Sequence, residues 1–266
     1  MLLHITWNVS PEILEIGSFS LRWYGLLFAA GFLAGLFIVR RMMLAEGAPE
    51  AWLDKAFIYI VIGAVVGARL GHVFFYDWEY YSQDPLKILK VWEGGLASHG
   101  GAIGIILMLW LFSVRVSKKS ILWILDKVVV PTALAGCFIR LGNLMNSEIY
   151  GKATDVSYAF IFVRSDPAAL PRHPVQLYES LSYLVSFFIL YYVYWNTGKK
   201  DKPGFVFGLF LLLIWGFRFI WEYLKESQGG FESAFGNTLS TGQLLSIPFL
   251  LIGAYFVFRK TPEVTA

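Results

Sequence analysis

The stretch Ala56-Phe57-Ile58-Tyr59-Ile60-Val61-Ile62-Gly63-Ala64-Val65-Val66-Gly67-Ala68-Arg69-Leu70-Gly71-His72-Val73-Phe74-Phe75 holds no Asp, Glu or Lys and a single Arg. A helix needs about 20 mostly apolar residues to cross a hydrocarbon core ~30 Å thick, and this stretch meets that length. Trp23–Val39 precedes it, and Gly101–Val114, Ile121–Ile139, Val175–Trp195, Phe205–Tyr223 and Leu244–Phe258 follow it with the same character. The reading is an all-α integral membrane protein of about seven transmembrane helices. Composition agrees. Of the 266 residues, 57% are hydrophobic and 15% charged, whereas a soluble domain carries roughly 25% charged residues. Mean hydropathy is +0.59. Ten Trp and 14 Tyr fit a chain with two membrane–water interfaces, where amphipathic rings collect. A net charge of +3 is too small to argue for nucleic acid.

Basic residues set the expected orientation. Arg40 and Arg41 follow the first span, Arg115, Lys118 and Lys119 the third, Lys199, Lys200 and Lys202 the fifth, and Arg259 and Lys260 the seventh. All four clusters fall on one side, which places the N-terminus outside and the C-terminus in the cytoplasm. The outer side then takes the N-terminus, the loops Tyr76–Gly95 and Leu141–Arg172, and the segment Lys225–Leu239. Residues 1–266 read as a single membrane domain, with 141–172 as a small extracytoplasmic, periplasmic head in which Tyr158–Val163 alternates like a β-element. No basic region precedes the first apolar run, so that span is expected to stay in the mature chain. Gly31 and Gly35, Gly63, Gly67 and Gly71, and Gly100 and Gly104 recur at four-residue spacing, which lets helix backbones approach closely in lipid. The single cysteine, Cys137, permits no intramolecular disulfide and reads as a small buried hydrophobe.

Ionisable residues in lipid are costly and each asks for a reason. Arg69 lies inside the second span, His99 opens the third, Arg140 ends the fourth, Arg172 and His173 precede the fifth, and Arg218 and Glu222 share a face of the sixth. Structural readings exist for several. Arg218 and Glu222 suit an intrahelical ion pair, Glu179 could neutralise a neighbouring Arg, Arg172 and His173 could snorkel, and His72 suits a structural role. Taken together, Arg69, Arg140, Arg172 and Arg218 form a cationic set, and Arg forks bind phosphate bidentately. An Arg cluster within lipid points to a phospholipid headgroup. The sequence has no metal-ligand spacing, no nucleophile elbow and no phosphate loop, so neither a metal nor a soluble cofactor is expected. Ser98 and His99 are adjacent and would not face each other on a helix, which disfavours a hydrolase dyad. A phospholipid or anion transporter using the Arg cluster is the alternative reading.

Ordered blocks then carry a resemblance from Arg22 to Phe258. They are Arg22-Trp23-Tyr24-Gly25, Gly67-Ala68-Arg69, Trp92-Glu93-Gly94-Gly95, Ser98-His99-Gly100-Gly101, Arg140 to Gly151, Arg172-His173-Pro174 with Gln176-Leu177-Tyr178-Glu179, and Phe217-Arg218 with Glu222. The chain resembles the prolipoprotein diacylglyceryl transferase family, whose signature is present as Arg140, Gly142, Asn143, Asn146, Glu148 and Gly151. It departs from the family's usual pattern at Ile139, at Leu144, and at Ile214 and Trp215, where the family often has a Tyr. The resemblance implies a bacterial inner-membrane enzyme that moves the diacylglyceryl group of phosphatidylglycerol to the lipobox cysteine of a prolipoprotein signal peptide. It implies His99 as base for the thiol, and Arg140 and Arg218 as holders of the leaving phosphate. Tyr24, Asn143, Asn146 and Glu148 would orient these groups or hold the headgroup, Arg69 and Glu222 would belong to the lipid-binding set, and Gly151 would permit a tight outer turn.

Overall fold

The computed structural model describes residues 4–17, 19–226 and 239–260. Its helices are α1 (Trp23–Ala45), α2 (Ala51–Phe75), α3 (Trp78–Gln83), α4 (Ser98–Phe112), α5 (Ile121–Met145), α6 (Val175–Asn196), α7 (Phe205–Trp221) and α8 (Thr241–Phe258). Short strands are β1 (Ile5–Trp7), β2 (Glu12–Ile16), β3 (Phe19–Arg22), β4 (Phe160–Phe162) and β5 (Pro171–Arg172). Most of the expected segment Lys225–Leu239 lies outside the described residues.

Every expected span falls on a long helix, and several helices run past their apolar stretch for local reasons. α8 begins at Thr241 rather than Leu244 because Ser240 and Gln243 form a reciprocal capping box, which satisfies two otherwise orphaned N–H groups. α5 continues past Ile139 to Met145, so the head segment expected from Leu141 starts only after the helix. Among the described residues six helices are long and apolar enough to cross a membrane: α1, α2, α4 extended to Ser117, α5, α7 extended to Leu224, and α8. α6 has 22 residues but buries Gln176, Glu179, Ser180, Ser182 and Ser186. Among the described residues the fold is therefore that of an all-helical integral membrane protein with six helices apolar enough to cross a membrane, while α6 turns its polar residues inward.

The chain divides into two compact units, Met1–Ile38 with Asp126–Ala266, and Val39–Leu125. In the second unit α2 and α4 meet through the glycines the sequence spaced four apart. A Cβ on Gly63 would lie 2.7 Å from the carbonyl oxygen of Gly104, and one on Gly71 would lie 2.7 Å from Gly100 Cα. Only backbones without side chains pack this closely, which is the physical content of the small-residue spacing. Trp52 meets Phe112 and Trp123 edge-on.

In the first unit Asp126, 2% exposed, accepts from the N–H groups of Gly204 at 2.6 Å and Phe207 at 2.7 Å. A carboxylate at a helix N-terminus answers unpaired donors and the dipole together, so this intramembrane acid has a structural purpose in starting α7. β1 pairs in parallel with β4, which pairs antiparallel with β5, and β2 and β3 form a hairpin. The alternation around Tyr158–Val163 thus yields β4. The N-terminal strands carried no comparable expectation. Trp7, Tyr150 and Leu177 pack on Leu144, Phe160 and Phe162. Arg172 is tied to Asp166 at 2.5 Å and also to Glu226. That pairing holds the Asp166 carboxyl below the usual carboxylate range. Arg172 is therefore held by carboxylates of the chain instead of snorkelling.

Candidate functional site

In the first unit the polar residues of the signature block converge on Arg140, in the last turns of α5. Its Nε faces the Glu179 carboxylate at 2.8 Å, and its Nη1 donates to Asn143 Oδ1 at 3.3 Å. Asn143 and Asn146 in turn donate to Glu148 Oε1 at 2.8 and 3.1 Å. Gln176 donates to the Glu148 carbonyl at 2.8 Å. This web fixes a backbone in which Ser147 and Ile149 adopt φ of 57° and 58°, a region unfavourable for a β-branched residue. Tyr183 from α6 stands among Arg140, Glu179 and Arg218, and hydrogen-bonds Arg140. The Tyr183 ring reaches α5 at Gly136, where a Cβ would lie 3.0 Å from it. Tyr24 packs on Gly142 in the same way, 2.7 Å from a would-be Cβ.

Two expectations need correction here. Gly151 does not make a tight turn by positive φ; it is required by close approach. A Cβ there would lie 2.7 Å from the Leu224 carbonyl oxygen and 2.8 Å from His173 Cβ, because Gly151 pairs with Lys225 as an antiparallel bridge. Among the described residues no ion pair joins Arg218 and Glu222. Arg218 lies over the Trp215 ring at 5.2 Å, and Trp215 stacks on Phe249 at 4.1 Å. Glu222 falls in a 3-10 turn that closes α7, and its carboxylate lies against Gly242.

Glu179 and Lys225 were not among the expected site residues. Glu179 is fully buried and bridges Arg140 to Lys225, whose Nζ is 2.6 Å from Oε1. Gln176, Glu179 and Tyr183 are spaced three and four apart on α6 and share a face, so their grouping was visible in principle. Nothing in the sequence marks Lys225, which lies beyond the apolar run of α7.

In the second unit Arg69 is 3% exposed. Its Nε donates to the carbonyl of Ile88, Nη1 to Gly94 and Gly95, and Nη2 to Lys87 and Lys90. A guanidinium has five N–H donors, and here five carbonyls take them. The loop they come from turns at Gly94 and Gly95, both with positive φ. His99 is exposed in the first turn of α4, with the rings of Phe75 at 6.2 Å and Tyr76 at 5.7 Å. It lines a cavity of about 280 Å³ with His72, Tyr76, Leu96, Ala97 and Ser98. His72 pairs with Asp77 at 2.8 Å, in keeping with a structural histidine.

Fold and geometry together define a polytopic membrane protein whose partly buried arginine, Arg140, is held by side chains and keeps donors to spare. The prolipoprotein diacylglyceryl transferase family model matches residues 11–259, and the chain belongs to that family. It is 49% identical to a phosphatidylglycerol–prolipoprotein diacylglyceryl transferase of Tolumonas auensis, over 97% of this chain and 98% of that protein. Proteins of the same name from Chloroherpeton thalassium and Porphyromonas gingivalis are 43% and 44% identical, over 98% and 96% of this chain and 96% and 94% of theirs.

Proposed function

We infer that this chain transfers the diacylglyceryl group of phosphatidylglycerol to the cysteine thiol of a prolipoprotein lipobox, leaving a thioether and releasing glycerol phosphate. The observation that carries the reading is Arg140. It is largely buried, it has three partners among the described residues for five donors, and it stands in a family whose named relatives act on these two substrates. A guanidinium with N–H groups to spare binds phosphate strongly in a water-poor setting.

The chemistry follows from charge. The thiol proton passes to a positioned base, worth about 10²–10⁴-fold, a role that the family resemblance gives to His99. The thiolate sulfur attacks the terminal glycerol carbon of the diacylglyceryl group. A carbon–sulfur bond forms, the carbon–oxygen bond breaks, and the electron pair leaves with the phosphate oxygen. Arg140 and Arg218 hold the charge gathering there, which favours the transition state over the ground state. Asn143, Asn146, Glu148 and Tyr24 keep Arg140 and the headgroup in register. Arg69, whose donors are all occupied, shapes the loop 87–95 and takes no part in lipid binding.

Seven spans, a head formed by the residues after α5, an external N-terminus and a cytoplasmic C-terminus in the bacterial inner membrane complete the reading. The four basic clusters support it. Impermeant labelling of a Lys118→Cys variant is expected only after the membrane is permeabilised; labelling from outside in intact cells reverses the orientation. The decisive experiment incubates purified protein in micelles with phosphatidylglycerol and a lipobox peptide and weighs the peptide. A gain of one diacylglyceryl mass supports the transferase. Unchanged peptide, with lipid moved between vesicle leaflets instead, favours the transporter. Heavy oxygen at the bridge between diacylglyceryl carbon and phosphorus should leave entirely with glycerol phosphate.

A further inference from the structure

We propose that Lys225 is a positioning residue that keeps Arg140 electrostatically available to an anionic substrate, by neutralising the carboxylate on which Arg140 rests. The proposal depends on the reading that Arg140 binds the phosphate of the lipid.

Glu179 is fully buried and meets two cations, Arg140 Nε on Oε2 at 2.8 Å and Lys225 Nζ on Oε1 at 2.6 Å. If Arg140 were the sole partner, the carboxylate that orients it would also cancel its charge, and the pair would present nothing net to a phosphate. Lys225 removes that conflict. Glu179 can fix the Nε edge while Lys225 supplies its counter-charge. Counting the neighbouring groups leaves Lys225 in the same role. Glu222 lies 3.6 Å from Lys225, and Arg218 stands beside Tyr183 in the same cluster. With Glu148, whose carboxylate accepts from Asn143 and Asn146, Arg140, Arg218 and Lys225 stand against Glu148, Glu179 and Glu222, and the set is neutral. Without Lys225 it carries one net negative charge facing an anionic substrate.

The placement of Lys225 is built into the fold. Lysine ordinarily extends its ammonium to water, yet Lys225 is 8% exposed. Its backbone is pinned on both sides. Gly151 pairs with it as an antiparallel bridge, Lys152 N donates to the Leu224 carbonyl at 2.7 Å, and Lys152 Nζ donates to the Tyr223 carbonyl at 2.9 Å. The Gly151 position, where no side chain fits, is what brings this strand of backbone close enough. The signature glycine and the unmarked lysine are thus parts of one device.

The test uses full-length enzyme in micelles, phosphatidylglycerol and a lipobox peptide, and compares Lys225→Met, Glu179→Gln, the double variant and Lys225→Arg. Lys225→Met is expected to raise KM for phosphatidylglycerol by about tenfold or more, with a smaller change in kcat, because an unneutralised carboxylate then faces the phosphate. Glu179→Gln should lower kcat through looser orientation without raising KM. The double variant restores the charge balance and should recover a KM below that of Lys225→Met. Lys225→Arg should stay within about threefold of the parent, since it keeps the charge. A structural role would make the double variant no better than Lys225→Met, and that result overturns the proposal, as does a wild-type KM in Lys225→Met. Should Lys225→Met fail to fold, the double variant and Lys225→Arg decide alone: both near the parental KM supports the proposal, and a raised KM in the double variant rejects it. An unmodified enzyme that makes no thioether would defeat the parent reading instead.

Discussion

Arg69 and Arg140 both sit within apolar helices, and the two regions around them solve the same problem differently. Arg69 donates to the carbonyls of Lys87, Ile88, Lys90, Gly94 and Gly95 and lies over the Tyr81 ring at 4.8 Å, so its charge meets backbone dipoles and a ring face and every donor is engaged. Arg140 meets a carboxylate, an amide and a phenol, and keeps donors in reserve. Backbone carbonyls cannot be displaced without unfolding the loop that bears them. Side chains can shift when a ligand arrives. A fully coordinated arginine therefore organises structure, and a partly coordinated one is prepared for an anion. Residue type and position alone do not tell the two apart, since each is an Arg in or at the end of an apolar run; in the sequence only the signature block singles out Arg140.

The largest expected effect tests the second half of that contrast. Arg140→Lys should lower kcat/KM by about 10²–10³-fold, because an ammonium keeps the charge but loses the fork, and thermal unfolding in detergent should barely move. Full activity would remove Arg140 from phosphate binding. Arg69→Met should show the opposite pattern. Five carbonyls would lose their donor, so a destabilisation of about 3 kcal/mol or more is expected, read as a lower unfolding temperature. A well-folded Arg69→Met protein that had lost affinity for phosphatidylglycerol would break the comparison. Gly104→Ala probes the frame that carries Arg69. Its Cβ would lie 2.8 Å from Gly67 Cα, and overpacking of this kind costs about 1–3 kcal/mol, with KM unaffected.

The smallest effect is expected from Asp166, between β4 and β5 in the other unit. Arg172 holds its pKa below the unfolded value. The stabilisation is therefore present above the unfolded carboxylate pKa of about 3.9 and is lost as pH falls through the folded one. Asp166→Asn should flatten the acid side of a melting-temperature profile and lower the unfolding temperature near neutrality by about 2–4 °C. An unchanged profile would show that Asp166 carries no coupled proton.

The sequence by itself determined the solvent, the long apolar helices and the family. Apolar runs of membrane length are one-dimensional signals, and each coincides with a long helix from α1 to α8. The glycine spacing in α2 and α4 also declared its purpose, because helical periodicity puts residues four apart on one face. Arg140, Asn143, Asn146 and Glu148 lie within nine residues of one another, so their local bonding was legible as a block. Tertiary structure decided what sequence spacing does not encode. It closed the donors of Arg69 with a loop about twenty residues away, turned Gly151 from a tight outer turn into a point of backbone contact, and drew Arg218 over Trp215 and Glu222 against Gly242 instead of onto each other. It also brought Lys225 from beyond α7 to the buried Glu179 of α6. Whether a buried charge is saturated or available depends on which distant groups reach it, and only the folded chain sets those distances.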